Sequence, residues 1–173
     1  MMNTKTTCRW GVIGTAKIAR KVVRAMHLSR HATPVAIASR SLDRALAFAE
    51  YTGLARAYAS YKVMIADPEI DHVYVPLPTA SRSEVVIEAA RAGKHVLCEK
   101  PVAPNAFAAQ EMIEACINAG VQFMDGVMFM HHRRFELLRR RIADLKFSPT
   151  FMDSAFTFKA DAPYLRSNIR TSI

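Results

Sequence analysis

The chain has 173 residues, which is enough for one domain with a full hydrophobic core and short for two. Half of the residues (51%) are hydrophobic, yet no apolar run approaches the ~20 residues of a membrane helix, so the composition predicts a soluble globular protein without a membrane span. The net charge is +9, but the basic residues are dispersed apart from one patch at residues 131–134 and 139–141, which argues against nucleic-acid binding.

Short apolar runs alternate along the chain with segments of helical periodicity. The apolar runs lack polar alternation, as buried parallel strands do, and they predict strands at residues 10–13, 33–39, 72–76, 95–99 and 121–126, with a short one at 57–58. Helices are predicted at residues 17–29, 42–51, 61–66 and 131–145. Two more helices open at the capping-box pattern Ser81-Arg82-Ser83-Glu84 and at Asn105. Ser41 is expected to cap the helix at 42–51.

This alternation predicts a doubly wound, mostly parallel α/β sheet over residues 1–148. The pattern changes after residue 148. Residues 150–159 are aromatic and partly alternating, which predicts a strand with one exposed face, the first strand of an incomplete second domain at 149–173. Such a strand cannot bury its own apolar face, so we expect the chain to self-associate as a homo-oligomer.

The turn between the first strand and the first helix reads Gly14-Thr15-Ala16-Lys17-Ile18-Ala19, which is G-x-G-x-x-G with alanine at the second and third glycine positions. Gly14 permits a tight turn, and the free N–H groups at the start of the helix can hold a pyrophosphate. The pattern therefore predicts a dinucleotide-phosphate site at Gly14, Thr15, Ala16, Lys17 and Ile18. It also fits an ordinary crossover turn that binds nothing.

The end of the second strand indicates which dinucleotide is bound. A site for NAD carries Asp or Glu there, to bind the ribose 2′-hydroxyl, whereas this strand ends Ala38-Ser39-Arg40-Ser41 without an acid. Arg40 and Ser39 offer the cation and the hydroxyl that a 2′-phosphate requires, which favours NADP over NAD. A solvated arginine beside a helix cap is the alternative.

Two further segments end strands at the same predicted edge of the sheet. Pro76-Leu77-Pro78-Thr79 forms a stiff loop that we expect against the nicotinamide half of the cofactor, unless it simply ends the strand. Glu99 and Lys100 end the fifth strand, and we expect both to contact the cofactor at this edge. A lysine there can hold a substrate oxygen and stabilise the alkoxide that develops during hydride transfer, although a Glu-Lys pair in isolation also fits surface charge.

Taken in order, the Gly14 turn, residues 38–41, residues 75–79 and the run Ala92-Gly93-Lys94-His95-Val96-Leu97-Cys98-Glu99-Lys100-Pro101 resemble the N-terminal domain of the Gfo/Idh/MocA oxidoreductases. The likeness covers about residues 8–158. It implies a Rossmann fold that binds a nicotinamide dinucleotide, in an enzyme that acts on sugars, polyols or diols. Lys100 matches the family's catalytic lysine, and Arg40 matches the arginine that meets the 2′-phosphate in NADP-preferring members.

The resemblance also implies a second domain, which carries most of the substrate pocket and an aspartate-histidine pair that moves the proton. The chain ends before that motif, so we expect a truncated form of an NADP-dependent oxidoreductase. The alternative is a cofactor-binding module without turnover. Arg82 occupies a position where the family often has histidine.

The three cysteines, Cys8, Cys98 and Cys116, are widely spaced and are expected to be reduced thiols in a cytoplasmic protein. No set of His, Cys or carboxylate residues has the spacing of metal ligands, so the sequence predicts no metal site.

Overall fold

A computed structural model describes residues 7–145, 148–151, 153–155 and 157 of the chain. Over these residues, six strands are followed in turn by α-helices. The strands are β1 (Cys8–Ile13), β2 (Ala32–Ala38), β3 (Arg56–Tyr58), β4 (His72–Val75), β5 (His95–Cys98) and β6 (Phe123–Asp125). The helices are α1 (Lys17–Leu28), α2 (Leu42–Thr52), α3 (Tyr61–Ile65), α4 (Ser83–Arg91), α5 (Ala106–Asn118) and α6 (Arg133–Ala143).

All neighbouring strands are parallel, and their order across the sheet is β3-β2-β1-β4-β5-β6. The chain runs from β1 outward to β3, returns to place β4 beside β1, and continues outward to β6. The predicted doubly wound parallel α/β sheet is therefore confirmed. In such sheets ligands bind at the carboxyl ends of the strands where the order reverses, which here is between β1 and β4.

Buried apolar side chains cover both faces of the sheet, which explains why the strand sequences do not alternate. On one face, Val73 and Val75 belong to a buried cluster with residues of α3, α4 and α5. On the other face, Val12 and Ile37 belong to a cluster with residues of α1 and α2. Both layers of helices thus hold the carboxyl edge of the sheet in place.

The two predicted helix caps are confirmed. The Ser41 side chain accepts a hydrogen bond from the Arg44 N–H at the start of α2 (3.4 Å), and the Asn105 side chain accepts one from the Ala108 N–H at the start of α5 (2.9 Å). Each cap binds one of the N–H groups that the first turn of a helix leaves without a backbone partner.

The capping box predicted at Ser81 is wrong. Ser81 closes a 3₁₀ turn (Thr79–Ser81), where its N–H donates to the Pro78 carbonyl (2.9 Å), so its backbone is already helical and cannot take the extended conformation of a cap. Arg82 precedes α4 instead and makes no side-chain cap hydrogen bond. Its side chain has other partners, described below.

The strand predicted at residues 150–159 is not present among the residues that the structure describes there, which are 150, 151, 153–155 and 157. The rest of that range lies outside the described residues. A strand forms only where a second strand supplies hydrogen bonds, and a lone segment has none. The last predicted helix is shorter than expected, because a 3₁₀ turn (Met128–His131) precedes α6.

By compactness the chain divides into two units, Met1–Met128 and Phe129–Ile173. The first contains the sheet with α1 to α5. The second contains α6, in which Glu136 and Arg140 form an ion pair (2.9 Å). The domain boundary at residue 148 stays a prediction. Among the helices described, none has the length and apolar character to cross a bilayer.

Candidate functional site

The predicted site segments lie together at the carboxyl edge of the sheet. The turn at Gly14 follows β1, Arg40 follows β2, and the loops that contain Leu77 and Lys100 follow β4 and β5. Because these strands are parallel neighbours in the order β2-β1-β4-β5, the four segments follow one another along a single edge in the order Arg40, Gly14, Leu77, Lys100.

Gly14 lies in a turn where an added side chain would displace that of Leu77. Its φ is +97°, and a Cβ at this position would lie 2.7 Å from Leu77 Cδ2. Its N–H donates to the Ala38 carbonyl at the end of β2 (2.8 Å). The positive φ agrees with the motif, and the contact with Leu77 adds a second reason for glycine that the sequence does not reveal.

No described side chain neutralises the partial positive charge at the start of α1. Ala16 precedes the helix in an extended conformation (φ −63°, ψ 149°), no side chain caps it, and the first turn contains no acidic residue. Thr15, Ala16 and Ile18 are partly buried, and Lys17 is exposed. The partial positive charge of the helix start, with the Lys17 ammonium beside it, suits a phosphate group.

Arg40 is exposed at the end of β2, and the described residues give it no ion pair. It lines a cavity of about 400 Å³ together with the first residue of α3, the loop after β4 and the start of α4 (Tyr61, Leu77, Pro78, Ala80, Ser81, Glu84 and Val85). Ser39 is buried instead (3% exposed), and its Oγ accepts a hydrogen bond from the Ser41 N–H (3.3 Å). Arg40 is thus accessible to a ligand, whereas Ser39 mainly shapes the turn.

The loop after β4 lies between the Gly14 turn and the Lys100 loop along the edge, and its side chains also reach the cavity at Arg40. Leu77 is 8% exposed, and its Cδ2 lies against Gly14. Both Leu77 and Pro78 line the cavity with Arg40. Pro76 precedes them, and Thr79 begins the 3₁₀ turn. This position suits the adenosine half of a dinucleotide, because the segment reaches from the phosphate turn to the residue expected at the 2′-phosphate.

Glu99 and Lys100 follow β5 directly. Glu99 Oε1 accepts a hydrogen bond from the Tyr74 hydroxyl (2.8 Å), and its Oε2 accepts one from the Lys100 N–H (3.2 Å). Gly126 lies close by, since a Cβ there would be 3.2 Å from the Glu99 carboxylate. The Lys100 side chain is exposed, and the Lys100–Pro101 peptide bond is cis.

Arg82 lies buried behind these two loops (5% exposed). Its Nε donates to the Leu77 carbonyl (2.7 Å), and its Nη1 donates to the carbonyls of Glu99 and Pro101. A guanidinium can bind several carbonyls at once because its N–H groups form a rigid planar fork.

Burial controls the protonation of two groups beside this edge. It raises the pKa of Tyr74, and the hydrogen bond to Glu99 acts in the same direction. The hydroxyl therefore stays protonated and remains a hydrogen-bond donor to Glu99. Burial also raises the pKa of the Cys98 thiol to about 11, against a smaller opposing effect of Arg82. Cys98 is therefore a neutral thiol at physiological pH and not a nucleophile.

Three residues that shape the edge are absent from the predicted set: Tyr74, Arg82 and Gly126. Tyr74 had a signal in the sequence, because a hydroxyl within an apolar strand requires a buried partner. Arg82 stands out in the sequence only as a departure from the family's histidine. The approach of Gly126 to Glu99 depends on the distance between two loops, which the sequence does not indicate.

A doubly wound parallel sheet, with a glycine turn leading into an uncapped helix where the strand order reverses, defines the class of dinucleotide-binding α/β domains. Comparison with known proteins then gives the family. The family described as "Oxidoreductase family, NAD-binding Rossmann fold" matches residues 8–127, and the chain belongs to this Gfo/Idh/MocA family.

Relatives of the chain include an uncharacterized oxidoreductase, ORF334 of Rhizobium meliloti, which is 44% identical over 129 residues, or 74% of this chain and 39% of the relative. A D-xylose 1-dehydrogenase (NADP(+)) of Haloferax volcanii is 37% identical over 151 residues, or 87% of this chain and 46% of the relative. Among solved structures, the 3-ketoreductase KijD10 from Actinomadura kijaniata in complex with NADP has a TM-score of 0.76 at 33% identity, over 82% of this chain and 45% of that one. The chain thus spans less than half the length of these relatives.

Proposed function

We propose that this chain is the NADP(H)-binding domain of an oxidoreductase in which a hydride passes between the nicotinamide and a sugar, polyol or diol. One observation carries the proposal: the same sheet edge holds the Gly14 turn, with its positive φ and the uncapped helix that follows it, and Arg40 in place of an acid after β2. The turn fits a pyrophosphate held by backbone N–H groups, and Arg40 fits a 2′-phosphate.

Each half of the cofactor then has its own residues. Residues 14–18 would hold the pyrophosphate, and the cavity at Arg40, Leu77 and Pro78 would receive the adenosine half with its 2′-phosphate. Glu99 and Lys100 would lie at the nicotinamide end, because β5 is the strand farther from β2. The NADP in the KijD10 complex and the NADP(+) in the name of the Haloferax volcanii relative support this choice of dinucleotide over NAD.

The bound nicotinamide supplies the carbon that gives or accepts the hydride. Lys100 would donate a hydrogen bond from its exposed ammonium to the reacting oxygen of the substrate, and would stabilise the negative charge that grows there when a carbonyl is reduced. Glu99 holds the Lys100 backbone through the N–H of that residue, which fixes where the side chain starts.

Sugar substrates agree with the name of the D-xylose dehydrogenase, and diols with the family resemblance of the sequence. The alternative of a binding module without turnover has no support from the relatives or from the site. A cytoplasmic location and self-association stay predictions.

Calorimetric titration of the chain with NADPH and with NADH tests the proposal, and NADPH should bind more tightly. Where the chain turns over any member of a panel of sugars and diols, Lys100→Ala should abolish that activity, and NADPH affinity should persist in the variant in every case. Lys62→Ala is the matched control, because Lys62 is 82% exposed on α3. Failure of well-folded protein to bind either dinucleotide would overturn the proposed function.

A further inference from the structure

Arg82 joins the two loops that the proposed function assigns to opposite parts of the cofactor. Its Nε binds the carbonyl of Leu77, which lies under the phosphate turn at Gly14, and its Nη1 binds the carbonyls of Glu99 and Pro101. The last two residues flank Lys100 on either side, so one side chain fixes both ends of the lysine's own backbone.

These carbonyls have few other donors. None of the described backbone N–H groups outside helices and strands donates to the carbonyl of Leu77, Glu99 or Pro101, and the Cys98 thiol, 3.7 Å from the Glu99 carbonyl, is a weak donor. A buried carbonyl without a donor is unfavourable, and so is a buried cation without acceptors. Arg82, at 5% exposure, obtains its acceptors from these three carbonyls; its contact with Leu77 is buried, and its contacts with Glu99 and Pro101 are partly buried.

We infer that Arg82 is a positioning residue that holds the backbone on both sides of Lys100 in a fixed place relative to the Leu77 loop and the Gly14 turn. Lysine at this position replaces it only in part, because a single ammonium lacks the planar fork that reaches two loops together. The inference rests on the proposed function only for the role of Lys100. The anchoring of the loops stands independently of it.

Hydrogen exchange of backbone amides in the ligand-free chain tests the anchoring. In Arg82→Gln, the N–H groups of Glu99 and Lys100 should exchange at least about tenfold faster than in the wild type, because they lie in the segment that Arg82 holds. Amides of β1 and α5 should keep their wild-type rates. Arg82→Lys should give an intermediate acceleration and serves as the milder variant if Arg82→Gln does not fold. Arg91→Gln is the matched control, because Arg91 is an exposed arginine at the other end of α4, the helix that Arg82 precedes.

If Arg82 contributes only to global stability, Arg82→Gln should accelerate exchange of all core amides by one common factor, and this result would overturn the inference. Unchanged exchange of the Lys100 amide would also overturn it. Where the wild type binds NADPH, Arg82→Gln should also weaken that binding about tenfold, since a loosened loop must be ordered on binding. Unchanged NADPH affinity in a variant with a loosened loop would overturn the positioning role. If the wild type binds neither dinucleotide, the proposed function fails, and the exchange rates alone decide whether Arg82 anchors the loops.

Discussion

The Tyr74 hydroxyl donates a hydrogen bond to Glu99 Oε1 (2.8 Å) and so links β4 to the residue that follows β5. Tyr74 is 1% exposed, and burial raises its pKa, so the hydroxyl remains a donor at physiological pH. The other carboxylate oxygen of Glu99 accepts the Lys100 N–H. A carboxylate fixed at both oxygens thus fixes the start of the lysine that we place at the reacting centre.

Removal of the Tyr74 hydroxyl is expected to destabilise the domain. In Tyr74→Phe, Glu99 Oε1 loses its donor in a partly buried position, and the free energy of unfolding should fall by about 1–2 kcal/mol. Urea denaturation measures the difference. Tyr51→Phe is the matched control, since Tyr51 is 69% exposed and its hydroxyl should contribute less than about 0.5 kcal/mol. Equal losses in the two variants would contradict the importance of the bond to Glu99.

Gly14→Ala is expected to damage the phosphate turn. The substitution places a Cβ 2.7 Å from Leu77 Cδ2 in a residue with φ of +97°, so the free energy of unfolding should fall by about 2–3 kcal/mol, and NADPH affinity should fall with it. Calorimetry and denaturation measure the two effects.

Gly93→Ala separates the cost of the positive φ from the cost of the contact with Leu77. Gly93 also has a positive φ (+73°), but a Cβ there would meet nothing within 4 Å, so only the backbone cost of about 1 kcal/mol is expected. If both alanine variants lose the same stability and both bind NADPH normally, the contact of Gly14 with Leu77 is not important.

The order of elements was accessible from the sequence because each strand is a short apolar run and each helix has its own start or stop signal. The turn at Gly14 and the cap at Asn105 follow from local chemistry, and local chemistry acts over a few residues. The failure at Ser81 has the same origin. The local sequence there is compatible with a capping box and with a 3₁₀ turn, and it does not report the contacts that Arg82 makes with carbonyls of distant loops.

The site was accessible only in part. Arg40 and Lys100 could be predicted because their positions at strand ends follow from the topology. The approach of the Leu77 side chain to Gly14 could not be predicted, because it depends on the register between β1 and β4. The partners of Arg82 lie 5 to 19 residues away along the chain, and no local pattern reports contacts between loops of that kind.

Arg40→Gln is expected to remove the preference for NADPH. Loss of a charge-assisted contact to the 2′-phosphate should weaken NADPH binding by about tenfold to a hundredfold and leave NADH binding nearly unchanged. Arg44→Gln is the matched control, because Arg44 is an exposed arginine close by on α2. Titration calorimetry at low and high salt measures both affinities. An equal loss for the two dinucleotides would contradict a 2′-phosphate contact at Arg40.

His72 lies at the opposite, amino-terminal edge of the sheet, in a stack of rings. Its ring centroid is 4.7 Å from that of Trp10 and 4.6 Å from that of His95. Among the described residues, its buried Nδ1 has no hydrogen-bond partner. Burial, followed by the charge of His95, lowers the pKa of His72, against a smaller opposing effect of Asp71.

Acid is therefore expected to destabilise the domain through His72. Its folded-state pKa lies below the ordinary value of 6.5, so the unfolded chain binds the proton more tightly, and the free energy of unfolding falls as the pH drops below that value. His72→Phe keeps a ring in the stack but does not titrate, so its free energy of unfolding should fall less between about pH 7 and about pH 5. Urea denaturation at both pH values measures the change. His31→Phe, at an exposed position, should retain the wild-type pH dependence. The same loss in wild type and His72→Phe would show that other groups cause the acid sensitivity.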